Sequence, residues 1–126
     1  MENRIKIAHQ YIEFLEKGDS DKIISLFAEK GTVESPLYGK MKASEFYKAL
    51  LSDTTHSVLE LKGVFEEKVS NSIALYFNYK WTLKNDEVAD FDVVDIIEFD
   101  QSDEIRFLKI IYDTVKSREI MNRIRN

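Results

Sequence analysis

The sequence predicts an α+β fold, helices first and a long antiparallel meander after them. The spacing of apolar residues changes from about 3.6 to 2 beyond Leu51, and tight-turn residues divide the runs that follow. The length of 126 residues suits one domain, 1–126, with a core of its own.

Each element can be read from its spacing. Over residues 5–17, Ile5, Ala8, Tyr11, Ile12 and Leu15 recur at helical intervals, with Asn3 as the expected cap and Gly18 as the stop. Asp19 or Ser20 starts a second helix whose apolar face is Ile23, Ile24, Leu26 and Phe27, with Gly31 past its end. Residues 32–34 read as a short strand stopped by Pro36. A third helix over 43–51 presents Phe46, Tyr47, Leu50 and Leu51. Leu59, Leu61 and Phe65 then share one strand face, with Gly63 as a bulge position between them. Ile73, Leu75, Phe77, Tyr79, Trp81 and Leu83 alternate strictly with Ala74, Tyr76, Asn78, Lys80 and Thr82. Strands over 88–99 and 105–112 and a helix over 114–124 complete the chain. Long antiparallel strands twist, and helices laid on the concave side enclose a cone-shaped cavity.

Composition narrows the function. Hydrophobic residues make up 44% and charged residues 33%, a globular balance. With no cysteine there is no disulfide framework, thiolate nucleophile or thiolate metal site. His9 and His56 are too few for an imidazole zinc site, so neither metal nor cofactor is expected. The net charge of −5 argues against a nucleic-acid partner, and no apolar run suits a membrane span. No secretory signal is evident, which points to the cytoplasm. Residues 86–104 hold nine acids and no Lys or Arg, whereas residues 116–125 carry four bases against Glu119. A solvated strand pair and a basic last helix account for this; strand-alternate Asp90 and Asp92 are a weaker cation-site reading.

One residue breaks the pattern. On the strand over 88–99, one face reads Phe91, Val93, Asp95, Ile97, Phe99. Asp95 cannot leave that face without taking its neighbours along. A carboxylate buried without partners responds by holding its proton, and a neutral acid in an apolar pocket donates a hydrogen bond to a ligand oxygen. The alternative is that backbone amides or water at the mouth of the cone satisfy it.

The series Tyr11 to Ala28 (YIEFLEKGDSDKIISLFA), then Thr32-Val-Glu-Ser-Pro36, and later Asp95-Ile-Ile-Glu-Phe-Asp and Ile111-Tyr-Asp113, resembles the ketosteroid-isomerase and polyketide-cyclase-like (SnoaL-like) branch of the nuclear transport factor 2-like superfamily. The resemblance implies a cystatin-like α+β cone: N-terminal helices on a strongly curved antiparallel sheet, with a short C-terminal helix. In ketosteroid isomerases a helix tyrosine seven residues before the Gly-Asp glycine and a protonated aspartate on the penultimate strand form an oxyanion hole. Tyr11 and Asp95 stand at those positions. The family's base, an aspartate before the proline, is here Ser35, a poor base at neutral pH. The resemblance therefore implies three readings. The chain binds a small hydrophobic carbonyl or aromatic ligand; or it is a cofactor-independent isomerase, cyclase or dehydratase, with His56 or water as base; or it is a homodimeric interaction domain paired through its sheet. Candidate ligand contacts are Phe14, Phe27, Tyr38, Phe46, Phe65, Phe77, Tyr79, Phe91 and Val93, and Trp81 suits either the pocket or the dimer face.

Overall fold

A computed structural model describes residues 2–125. Helix α1 (Glu2–Lys17) buries Ala8, Tyr11 and Leu15, one every three to four residues. It ends at Gly18, whose φ of +68° suits a residue without Cβ and lets its N–H reach back to the Leu15 carbonyl. Asn3 is not a cap. It lies in the first turn, where its amide donates to Asp103 beside the Arg4–Asp103 ion pair and so ties the helix to a distant turn.

Helix α2 (Ser20–Ser25) is capped by Asp19, whose carboxylate accepts from the Lys22 N–H. It is shorter than the apolar spacing predicts. Phe27 opens strand β1 (Phe27–Ser35) and pairs with Ile105, so Leu26 and Phe27 are not part of a helix face. Gly31 does not terminate a helix either. A Cβ there would sit 2.9 Å from the Ile105 carbonyl oxygen, so glycine is what permits this close approach of two backbones.

A four-residue strand unforeseen in the sequence, β2 (Gly39–Lys42), folds back on β1 before α3 (Ala43–Ser52). The meander follows as β3 (Thr54–Glu67), β4 (Ser72–Leu83), β5 (Val88–Phe99) and β6 (Ile105–Ile111), and α4 (Val115–Arg125) closes the chain. The six strands run in the order β2-β1-β6-β5-β4-β3, antiparallel except for the β1–β6 pair. Strand β4 keeps the alternation that its sequence predicts: Ile73, Leu75, Phe77, Tyr79, Trp81 and Leu83 are all buried. They face the helices and form the core with Ile23, Tyr47, Ile97, Leu108 and Ile120.

Strand β3 corrects one expectation. Leu61 pairs with Phe77 but Gly63 pairs with Tyr76, leaving Lys62 as an extra residue in the ladder. Beyond this bulge the faces exchange: Val64 opposes buried Leu75, and Phe65 opposes Ala74 on the outer face, 58% exposed. Phe65 therefore does not share a face with Leu59 and Leu61.

The acidic stretch is largely accounted for by local partners. Glu87 takes Arg123 of α4, Glu98 takes Arg106, and the Asp100 carboxylate accepts from the Ser102 and Glu104 N–H groups. The Asn78 amide donates to both Asp90 and Asp92, and Lys62 lies 3.3 Å from Asp92. Among the described residues no group of three His, Asp or Glu is placed to hold a metal, and no helix is long and apolar enough to cross a membrane.

Candidate functional site

Asp95 sits mid-strand in β5, between Leu75 of β4 and Ile110 of β6, and is 1% exposed. Its Oδ1 has no hydrogen-bond partner among the described residues. Desolvation pushes its pKa well above the ordinary carboxylate range, and the neighbouring Tyr11 phenol, which favours the ionised form, offsets only part of that. The carboxyl thus keeps its proton where a solvated aspartate would have lost it.

Tyr11 comes from the buried face of α1, and its hydroxyl lies 2.7 Å from that of Tyr47 on α3. Burial raises both phenols far above the usual tyrosine value, so each remains protonated. One phenol donates to the other. When Tyr47 is the donor, the Tyr11 proton is free for a third group. Three protonated oxygen acids from α1, α3 and β5 are therefore gathered in the core, with no cation beside them among the described residues.

Tyr11 and Asp95 border a cavity of about 30 Å³, and Tyr47 lies outside its lining. Strands β4 and β5 supply Phe77, Tyr79, Trp81, Phe91, Val93 and Asp95; α1 supplies Tyr11 and Leu15; α3 supplies Phe46 and Leu50. Ser35, Tyr38, Ile110 and Tyr112 close the remaining side. A space of this size holds about two water molecules. Its polar side chains are mostly engaged: Ser35 Oγ accepts from the Tyr38 N–H at 2.9 Å, and the Tyr79 hydroxyl lies 2.9 Å from Ser57 Oγ. The Tyr38 hydroxyl donates to Asp53, and Trp81 Nε1 donates to Thr54 Oγ1. Asp95 is the exception.

The residues expected at the site thus divide. Tyr11, Ser35, Tyr38, Phe46, Phe77, Tyr79, Phe91, Val93 and Asp95 meet around one cavity. Phe14, Phe27, Phe65 and His56 lie outside its lining. Phe14 is half-buried with Lys22 over its ring, and Phe27 packs in the core against Tyr47. Phe65 is on the outer sheet face, and His56 is exposed on β3 beside an open groove with Glu16 and Lys17. Sequence reasoning missed Tyr47 and Tyr112. Tyr47 carried a usable signal, because a tyrosine on the apolar face of a helix must find a buried partner for its hydroxyl. Tyr112 follows β6 and stacks on Phe91, with ring centroids 4.2 Å apart.

The sequence matches no protein-family model and no curated protein. Solved structures do match. Over 97% of its length the chain superposes on 94% of the BvnE pinacolase of Penicillium brevicompactum, with a TM-score of 0.81 and 12% identity. An NTF2-like protein of Cytophaga hutchinsonii matches over 88% of this chain and 90% of its own, with a TM-score of 0.69 and 17% identity. The chain has the NTF2-like, cystatin-like fold. SalBIII, an epoxide hydrolase/cyclase-like enzyme in pyran ring formation in the polyether salinomycin, shares this NTF2-like architecture over 89% of this chain and 92% of its own, at a TM-score of 0.76 and 18% identity. At such identities the likeness is one of fold, and an NTF2-like cone hosts whatever chemistry its lining permits.

Proposed function

We propose that this NTF2-like chain is a cytoplasmic small-molecule-binding domain whose ligand is a small hydrophobic carbonyl or aromatic compound. The observation that carries the proposal is Asp95: a buried acid with an unpartnered oxygen, holding its proton among aromatic side chains. Tyr11 and Asp95 donate to the ligand oxygen, and the rings of Phe77, Tyr79 and Phe91 face its hydrocarbon part. Ser35 holds the position before Pro36 without acting as a base, because a neutral hydroxyl is a poor base at neutral pH; its oxygen accepts from the Tyr38 N–H.

Binding is tested by titrating acetone and cyclohexanone against the fluorescence of Trp81, the chain's one tryptophan. Saturable change is expected in wild type and at least about tenfold weaker binding in Asp95→Asn and Tyr11→Phe, the scale of one buried hydrogen bond. Equal affinity in all three proteins would refute the assignment. Ser35→Asp adds the missing base to the same site, and its carboxylate can accept from the Tyr38 N–H as the serine does. Ketone enolisation, followed by deuterium exchange, is expected only in that variant.

A second reading, a cofactor-independent isomerase, cyclase or dehydratase, draws support from the cyclase-like and pinacolase activities named for SalBIII and BvnE. Turnover by the wild-type chain would favour it over the binder.

The outer sheet face adds a partner to the proposal. Phe65 and Ile111 stand 58% and 47% exposed on a face that also carries Tyr76 and Val94, and we assign it to pairing with a second copy. Light scattering after size exclusion is expected to give twice the chain mass for wild type and the single-chain mass for Phe65→Glu. A monomeric wild type would remove this assignment.

A further inference from the structure

A cavity that holds about two waters must open to admit an organic ligand, and its walls differ in what holds them. The β4 and β5 walls lie inside the sheet, paired on both sides. Tyr11, Leu15, Phe46 and Leu50 belong to helices and are all buried. Tyr38 stands apart. It lies on the turn between β1 and β2, and β2 pairs with β1 alone at the edge of the sheet.

Three contacts hold Tyr38 over the cavity. Its N–H donates to Ser35 Oγ at 2.9 Å, its ring meets Phe46 edge-on at 5.6 Å, and its hydroxyl donates to Asp53 Oδ2 at 2.7 Å. The last contact joins the turn to Asp53, the residue that caps the C-terminal end of α3. Gly39, directly after Tyr38, has a φ of +80° and nothing within 4 Å of where a Cβ would stand, so the following residue does not obstruct the turn.

We infer that Tyr38 is the gate of the cavity and that its hydroxyl bond to Asp53 is the latch. The inference rests on the binding role proposed above and adds the route by which a ligand enters. The latch has a low release cost on the Asp53 side. Asp53 Oδ1 is paired with Lys84 at 3.0 Å, so its carboxylate is not left without a partner when Tyr38 swings out. The phenol, once released, passes to water, which replaces the hydrogen bond it gave up. Opening therefore forfeits one bond to a charged group and one ring contact, while the core and the sheet ladder stay intact. The ring that leaves is a cavity wall, so the same motion clears an entrance and enlarges the space beyond it.

Trp81 lines the cavity, is 1% exposed and is the only tryptophan, so its quenching by acrylamide reads the gate without any assumption about the ligand. Wild type is expected to resist quenching. Tyr38→Phe keeps the ring and removes the latch; losing a hydrogen bond to a charged group shifts the closed–open balance by about tenfold, and the quenching constant should rise with it. Tyr38→Ala should be quenched at least as readily. Lys84→Gln breaks the other Asp53 contact and should leave quenching at the wild-type level. Far-ultraviolet circular dichroism should be the same for all four proteins. Wild-type quenching in Tyr38→Phe, or equal quenching in Lys84→Gln and Tyr38→Phe, overturns the gate. If Tyr38→Phe opens the cavity and no ketone binds, the gate stands and the ligand assignment fails.

Discussion

Replacing Asp95 with asparagine is expected to raise stability relative to wild type by an amount that grows with pH. In the unfolded chain the carboxyl titrates near ~3.9. In the folded chain desolvation raises that value, against a weaker opposing pull from Tyr11. Between the two values the folded state carries a proton that the unfolded state has released. Across that window wild-type stability falls as pH rises, by about 1.4 kcal/mol per pH unit from this group. Below both values the contribution is fully present and pH-independent; above the folded value the loss is complete. The amide of the variant does not titrate and has no such dependence. The surface carboxylates with lowered pKa values, Glu67, Glu87, Asp92 and Asp103 among them, act in the opposite sense but equally in both proteins. Urea unfolding from pH 4 to 8 isolates the difference, and parallel curves would mean that Asp95 is solvated.

The second large effect concerns Phe77. It is 1% exposed, at the centre of β4, and borders both the core and the cavity. Phe77→Ala should lower stability by about 3–5 kcal/mol, the sum of lost burial and an unfilled space. The space would join the existing cavity beside Trp81. Benzene should therefore restore part of the lost stability in the variant and have no effect on wild type, a pattern that thermal melts with and without benzene resolve. A cost below about 1 kcal/mol would show that the site collapses and that the wall at Phe77 is not rigid.

Where local spacing decides structure, the sequence was readable. The alternation of β4 and β5 has no rival explanation, and it placed Asp95 on the buried face directly. The first helix and the positive-φ glycine that ends it were equally plain. Where a distant partner decides, it was not. Phe27 looks helical until Ile105 claims it, and Gly31 looks like a stop until the β6 backbone arrives beside it. The bulge position was visible, yet which residue becomes supernumerary depends on how β3 meets β4, and that choice moved Phe65 to the other side. The Tyr11–Tyr47 contact joins residues 36 apart on separate helices, so no spacing rule encodes it. Tyr38 was legible as a candidate ligand contact, but its tie to Asp53 was not.

The pairing of β1 with β6 also bears on how the molecule comes into being. The hairpins β3–β4, β4–β5 and β5–β6 each close between neighbours in the chain, whereas β1 finds its inner partner only in the last strand to leave the ribosome. The seam that carries Ser35 up against Ile110 and Tyr112 thus closes over the longest sequence separation of any strand pairing in the sheet, and it completes the lining around the acid on β5, whose burial raises its pKa. Proton retention by that one side chain would serve as a chemical signature of a finished fold.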